Sequence, residues 1–362
     1  MGQPKFYNSR SEVPKDAEII DVFSSGLEEL FFVQNPQYKK SYSGYQDALD
    51  NFLTENKIQG IWVYYSDHKK AIHILPEDYY FQLRTARNKL VITSEEQTNF
   101  RNIKVGVAGL SVGSSIINAL VRTGGPKTMS IADYDNLEFT NLNRINSNLL
   151  DLGRNKTEIA ADWIWELDPF AELNVYSKGL TKDNLLEFLG NPKIEVFIDE
   201  MDSIDLKILA RFYCKNRKIP VLMATDNGDG VILDVERFDL EPERPIFHGL
   251  VDITLEQVTK LDFHSWLKLA TKIVGPEFLS ESMQESVSEI GKSISAVPQL
   301  GSTANVAGAA VGYVVRKIAN HQIMPSGRYQ ISLEEKLIPD YNNEKNREVR
   351  KQKTELFRSQ FK

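Results

Sequence analysis

Cysteine is almost absent from this 362-residue chain, Cys214 being the only one. A lone cysteine excludes an internal disulfide and any Cys-x-x-Cys zinc site. Histidine is scarce as well: the five, His68, His73, His248, His264 and His321, show no metal-ligand spacing. No apolar run is long enough to span a bilayer, so no membrane partner is expected. The start, Met1-Gly-Gln-Pro-Lys-Phe6, has no signal-peptide core. Basic charge is not in excess either. With 43 Lys and Arg against 50 Asp and Glu the formal net charge is −7, which argues against nucleic acid as a partner. The expected location is cytoplasmic.

The length suits two domains, or one large domain with attachments. Residues 1–80 read as a small N-terminal α+β accessory unit. Tyr45 to Glu55 has apolar residues at helical spacing, Ile58 to Tyr65 is rich in β-formers, and Ala71 to Leu75 returns after a polar turn as a hairpin. Residues 81–330 form the main domain. Thr93-Ser-Glu-Glu-Gln97 is a capping-box helix start. Strand signals at 105–108, 128–132, 173–176, 196–199 and 220–224 then alternate with helix signals at 112–123, 156–167, 183–189 and 204–215. That alternation predicts an α/β fold: a Rossmann-like, mostly parallel sheet with helices on both faces. Ile232 to Phe238 alternates like an antiparallel strand. Residues 252–293 read as amphipathic helix. Ala304 to Ile318 is a small-residue helix able to approach the sheet closely. Residues 331–362 are a charged tail, read as a solvated helix or as disorder.

Chemistry concentrates in Lys104-Val-Gly-Val-Ala-Gly-Leu-Ser-Val-Gly-Ser-Ser115. This reads as a buried strand, a glycine turn and a helix start, which aims backbone N–H groups at a phosphate. Gly109, Ser111 and Ser114 hold the three turn positions, with Gly113 beside the third. Asp133 follows about twenty residues on, at the end of the second strand, where an acid meets ribose hydroxyls. A nicotinamide enzyme uses the turn and Asp133 equally well. It has no use for Asn141-Leu-Asn143-Arg144, Lys156 or Asp202.

The ordered set Arg84-x-x-Arg87, Gly109-x-Ser111-x-x-Ser114, Asp133-x-Asp135, Asn141-Leu-Asn143-Arg144, Gly153-Arg-Asn-Lys156 and Asp199-Glu-Met-Asp202 resembles the ThiF/MoeB/HesA family of adenylating enzymes, related to ubiquitin activators. The likeness runs from about Arg84 to Ile318. It departs at the turn, where two of three glycines are serine, and it lacks the family's zinc cysteine pairs. The resemblance implies an ATP-dependent, Mg²⁺-dependent adenylyltransferase. Such an enzyme activates a carboxylate substrate, whether a small molecule, a peptide or a small protein C-terminus. It implies a homodimer too, in which Arg87, with Arg84 as the fallback, reaches the partner's site.

On that reading Arg144 and Lys156 grip the triphosphate, and Asn141 positions the phosphates or the arginine. Asp135 either orients Asn141 or Arg144 or caps a turn. Asp202, past the carboxyl end of a strand, holds Mg²⁺ or, with Ser203, caps the helix from Ile204. Cys214 reads as a core residue rather than a thioester nucleophile. His248 reads as a loop histidine, or as one reaching the carboxylate side of the sheet. A nucleotide-binding protein without catalysis, and a NAD(P)-dependent oxidoreductase, remain the alternatives. The adenylating reading requires Arg144, Lys156 and Asp202 to converge on the Gly109 turn.

Overall fold

The computed structural model describes residues 2–258, 269 and 272–359. Two sheets organise the chain. The smaller consists of β1 (Lys5–Tyr7), β2 (Glu18–Asp21), β3 (Ile61–Tyr65) and β4 (Lys70–Ile74) in the order β1-β3-β4-β2. The β3–β4 hairpin expected from the polar turn is present and antiparallel. Helices Phe23–Gln34 and Tyr45–Asn56 pack through Leu30, Phe31, Leu49 and Phe52. The first of these helices and strands β1 and β2 were not foreseen.

The larger sheet has seven strands: β5 (Lys104–Ala108), β6 (Thr128–Ala132), β7 (Glu172–Tyr176), β8 (Val196–Asp199), β9 (Val221–Asn227), β10 (Gly230–Glu236) and β11 (Gly327–Ser332). Their order is β11-β10-β9-β8-β5-β6-β7. Strands β5 to β9 run parallel, while β10 and β11 close the edge antiparallel. This is the expected α/β architecture, and β8 is buried at every residue, as a strand covered on both faces must be. From β5 the chain first adds β6 and β7 on one side and later β8 and β9 on the other. The order therefore reverses between β5 and β8, and open sheets of this kind bind ligands at that point, beyond the strand C-termini.

Helices Val112–Arg122 and Gly301–Ala319 cover one face. The small residues of the second do more than approach the sheet. A Cβ at Gly308 would lie 2.5 Å from the Ser115 carbonyl oxygen, so the two helices touch backbone to backbone. Two other expectations change. The amphipathic stretch 252–293 is interrupted by a 3₁₀ turn at Pro276–Phe278 before the helix Glu281–Glu289; residues 259–268, 270 and 271 lie outside the described residues. The charged tail forms the helix Glu344–Ser359, and it is docked. Phe357 is buried against Ile232, Leu279 and Met283, and Lys353 pairs with Glu281.

The small sheet is fastened to the large one by polar contacts with the end of helix Lys156–Leu167. Tyr65 donates to the Trp165 carbonyl at 2.9 Å and Tyr80 to the Leu167 carbonyl at 2.6 Å. Beside them Asp168, buried to 3% exposure of its side chain, pairs with Arg84 at 3.1 Å and with Arg101. Removing that carboxylate leaves the buried Arg84 guanidinium without an ion pair and Arg101 with Glu77 alone, at 3.3 Å. We expect Asp168→Ala to lose about 3–5 kcal/mol of stability. Urea unfolding of the full chain measures this, and a loss within 1 kcal/mol would contradict the assigned burial.

Candidate active site

The turn after β5 is set by backbone rather than by side chains. Gly109 holds φ at +89°, and a Cβ there would lie 2.2 Å from the Glu200 carbonyl oxygen. The two loops past β5 and β8 are thus in van der Waals contact. Glu200 in turn is locked, since its Oε1 accepts the Ala224 N–H at 2.8 Å and burial pushes its carboxyl well above the usual range. Ser111 precedes helix Val112–Arg122 and makes no capping bond, so the first N–H groups of that helix face the turn. Gly113 serves packing, for a Cβ there would press on Val107 at 3.2 Å. Ser114 departs from its expected place in nucleotide binding. Its hydroxyl donates back to the Ser111 carbonyl at 2.9 Å and accepts the Asn146 N–H at 3.4 Å, so it braces the turn from behind.

Asp133, 8% exposed, ties the turn to β6. Its two oxygens accept the Leu110 N–H at 2.6 Å and the Asp135 N–H at 2.8 Å. Burial raises its pKa, opposed by these donors and by Lys156. Asp135 orients neither Asn141 nor Arg144. It holds the Lys156 ammonium at 2.9 Å, and the Lys156 N–H donates to its carbonyl at 3.0 Å. Asn141 acts through the backbone. Its side chain accepts the Glu138 N–H at 3.0 Å, and its carbonyl accepts the Arg144 N–H at 3.1 Å, closing the turn that presents the arginine. Arg144 then donates from Nε to Ser111 Oγ at 2.9 Å and from Nη1 to the Thr140 carbonyl at 2.9 Å and Asn143 Oδ1 at 3.0 Å. Burial lowers its pKa; Asp226 and Asp202 pull it back.

These residues line one cavity of about 780 Å³ whose wall includes Ser111, Asp135, Asn141, Arg144, Lys156 and Asp202. A side pocket of about 60 Å³, bounded by Gly109, Asp133, Gly179 and Leu206, adjoins it and shares Ser111, Asp135, Lys156 and Asp202. The required convergence on the Gly109 turn is therefore met. Asp202 is exposed, and the cap of helix Ile204–Arg217 is Ser203, so Asp202 is not spent on capping. Among the described residues no group of three or more His, Cys, Asp or Glu forms a metal cage. Mg²⁺ is ordinarily held by one or two carboxylates together with water and phosphate, and an exposed Asp202 in the wall of this cavity fits such a donor set.

Three candidates lie elsewhere. Arg87 is exposed in the 3₁₀ turn Ala86–Asn88 and does not line the cavity of its own chain. Arg84 faces inward and is committed to Asp168 and to the Val121 carbonyl at 3.1 Å, so it cannot serve as a fallback for a partner's site. His248 does not reach the cavity: its ring is taken by Asp234 at 2.9 Å and Arg244 at 3.0 Å. Cys214 is fully buried, and burial pushes its thiol far up, as a core residue requires.

The opposite wall was not read from the sequence. Ile273, Val274, Leu279, Met283, Val287 and Val297 make it apolar. Arg328 steadies it by donating to the Ile273 carbonyl at 2.8 Å while pairing with Asp234 at 2.7 Å. Asn227, the last residue of β9, clamps the same segment by accepting the Ser280 N–H at 2.7 Å and donating to the Phe278 carbonyl at 2.9 Å. Its neighbour Asp226, 5% exposed, lines the cavity; among the described residues neither of its oxygens has a hydrogen-bond partner. Burial raises its pKa to about 6, with Arg144 pulling the other way. Lys207 also lines the cavity but is held by Asp199 at 3.2 Å. A carboxyl side chain at the C-terminal end of a parallel strand was the available signal for Asp226.

Comparison with known proteins places this site in context. The ThiF family model matches residues 85–347. The chain is 36% identical over 273 residues to the uncharacterized protein MT1398 of Mycobacterium tuberculosis (strain CDC 1551 / Oshkosh), covering 75% of this chain and 38% of that protein. It is 30% identical over 160 residues to the tRNA threonylcarbamoyladenosine dehydratase of Escherichia coli (strain K12), covering 44% of this chain and 58% of that one. It thus spans less than two thirds of either relative. Among solved structures, E. coli MccB with ATP is 16% identical with a TM-score of 0.48, covering 89% of this chain and 88% of MccB. A likeness that distant carries no weight here.

Two outcomes follow from the geometry. Gly109→Ala must relieve both a positive φ and the contact with Glu200, at a cost of about 1–3 kcal/mol from the backbone strain alone; urea unfolding of the full chain should show that loss. For Asp226 the folded pKa lies above the unfolded one. The protein is therefore penalised as pH rises from about 4 through about 6, by roughly 3 kcal/mol for two pKa units. Asp226→Asn should be more stable than the parent at pH 8, with the difference closing as pH falls to 4. Denaturation across that range checks it; a difference independent of pH would contradict the assignment.

Proposed function

The chain belongs to the ThiF family, and on that premise we propose that it is an ATP-dependent adenylyltransferase that activates a carboxylate. The observation that carries the reading is the convergence of Arg144 and Lys156 on the Gly109–Ser111 turn, with Asp133 beside it. Asp133, in the side pocket, stands where ribose hydroxyls would lie. The larger cavity suits the phosphates and the acyl substrate.

In the reaction a carboxylate oxygen attacks the α-phosphorus of ATP. The new bond is acyl O–P; the bond from the α-phosphorus to the bridging oxygen breaks, and its electron pair leaves with pyrophosphate. No proton need move, so the demand is for position and charge rather than acid–base work. Arg144 is already fixed by Ser111, Thr140 and Asn143, so it meets the developing charge without reorganising. Its planar group can grip two phosphate oxygens, whereas Lys156 acts as a point charge. Asp135 keeps that ammonium in place until phosphate takes it over. Mg²⁺, held by Asp202 with phosphate oxygens and water, would supply neutralising charge to the leaving pyrophosphate. The buried thiol of Cys214 leaves the acyl-adenylate to be consumed by an outside nucleophile. The oxidoreductase alternative gives Arg144, Lys156 and Asp202 nothing to do.

We place the enzyme in the cytoplasm as a homodimer. Arg87 sits on a turn followed by Leu90 and Val91, which are 99% and 80% exposed. An apolar tip of this kind calls for cover, and a second copy docking there would carry Arg87 toward the partner's phosphates.

Exchange of labelled pyrophosphate into ATP, with the cognate carboxylate present, tests the reading. Arg144→Ala and Asp202→Ala should each lose a hundredfold or more, about 2.7–4 kcal/mol by analogy with oxyanion donors. Undiminished exchange in both would remove the assigned roles. For the shared site, inactive Arg87→Ala and inactive Arg144→Ala chains should regain activity when coexpressed, because the mixed dimer rebuilds one intact site. No recovery would place Arg87 outside the chemistry.

A further inference from the structure

The carboxylate of Asp226 lies in the wall of the cavity with no hydrogen-bond partner among the described residues, and the surrounding groups narrow what it can be for. Among the described residues, the cations that line the cavity are committed. Lys156 is paired with Asp135, Lys207 with Asp199, and Arg144 is held by Ser111, Thr140 and Asn143. A bound triphosphate would engage Arg144 and Lys156. It would also add negative charge to a space where a buried anion already stands, and such a charge is costly unless it is paired. Among the described residues none hydrogen-bonds to Asp226, which leaves its place open to a cationic group of the ligand.

The local geometry narrows the partner's chemistry. Successive residues of β9 point to opposite faces. Asn227 is used up in clamping the 278–280 wall, while Asp226 faces the cavity. It shares the cavity wall with Arg144, the proposed phosphate grip, whose charge it feels, and with the apolar side chains of Ile273, Leu279 and Met283. A substrate whose carboxylate reaches the phosphate beside Arg144 would place its next atoms against Asp226 and its remaining bulk against that apolar surface. We propose that Asp226 receives the α-ammonium group of the acyl substrate, and that the carboxylate activated here is that of a free amino acid with an apolar side chain. The inference rests on the adenylation reading and deepens it. It disfavours a peptide or protein C-terminus, where the nitrogen at this place is an uncharged amide. A neutral donor would leave the buried negative charge uncompensated.

Two stable analogues of an acyl-adenylate test this on the full chain: 5′-O-(leucylsulfamoyl)adenosine and its 4-methylpentanoyl counterpart, which differs only in lacking the amine. Calorimetry should find the leucyl compound bound tenfold to a hundredfold more tightly. In Asp226→Asn, whose folding is verified by urea unfolding, the ratio should fall to about one. Equal affinities in the parent chain, or a preference that survives the substitution, would overturn the proposal. So would a preference matched by the N-acetyl-leucyl compound. An unchanged ratio together with weaker ATP binding only when Mg²⁺ is present would reassign Asp226 as a metal ligand. If the parent binds neither analogue nor ATP, the adenylation reading itself fails. If it binds ATP and both analogues alike, only the present inference fails.

Discussion

Gly109 can keep its φ at +89° and rest against the Glu200 carbonyl because it has no side chain. That contact joins the loop past β5 to the loop past β8 at the place where strand order reverses. The rest of the site is hung from these loops. Glu200 is anchored to β9 through the Ala224 N–H, and Asp133 anchors the Gly109 turn to β6. Arg144 then docks on Ser111, the residue that starts the following helix. Strands β5, β6, β8 and β9 are thereby coupled at their carboxyl ends by hydrogen bonds a few residues from the cavity. A larger residue at 109 would part the loops and disturb every one of these links.

Charge in the cavity is balanced in advance for one ligand and left unbalanced for another. Lys156 waits on Asp135, and Arg144 waits on neutral acceptors, so neither must be desolvated afresh when phosphate arrives. Beneath them Arg211 joins Asp199 to Glu236 and stacks 3.8 Å over Phe247, while Lys207 completes the cluster at Asp199. That cluster is closed, with each charge matched inside the protein. Asp226 stands outside it. The contrast between a closed ionic network beneath the cavity and a carboxylate in its wall with no hydrogen-bond partner among the described residues is what makes Asp226 informative, since burial alone is common to both.

Most of the large sheet was legible because its parallel strands are covered on both faces and read as short apolar runs. β6 and β8 and the helix Lys156–Leu167 fall where those runs begin and end. The strands that escaped are those whose apolar residues are few or half exposed. β11 has no fully buried residue, and β1 and β2 are short. Within the site the motif residues were readable because phosphate chemistry needs fixed types at fixed spacing. Their internal partners were not. Nothing in Asp133-x-Asp135 reveals that the second aspartate belongs to Lys156, twenty-one residues away, rather than to Arg144. Nor could the inward turn of Arg84 be told from the outward exposure of Arg87, as both lie in one basic stretch.

Asp226 was hidden for a different reason. In Ala224-Thr-Asp-Asn-Gly-Asp-Gly230 every residue after Thr225 favours a turn, so the strand was read as ending at Ala224. The chain instead continues β9 to Asn227, because residues 225–227 pair with Gly230–Ile232 of β10 in a tight antiparallel return. Extending the strand by three residues carries a polar pair past the sheet's core and up to the cavity. One member, Asn227, satisfies the backbone of the apolar wall. The other has no such duty among the described residues. A turn-forming sequence has thus been drawn into a strand, with an anion placed where turn chemistry would have left it in water. The desolvation this imposes offers no folding advantage that the structure shows, which is the argument for looking to the ligand for its compensation.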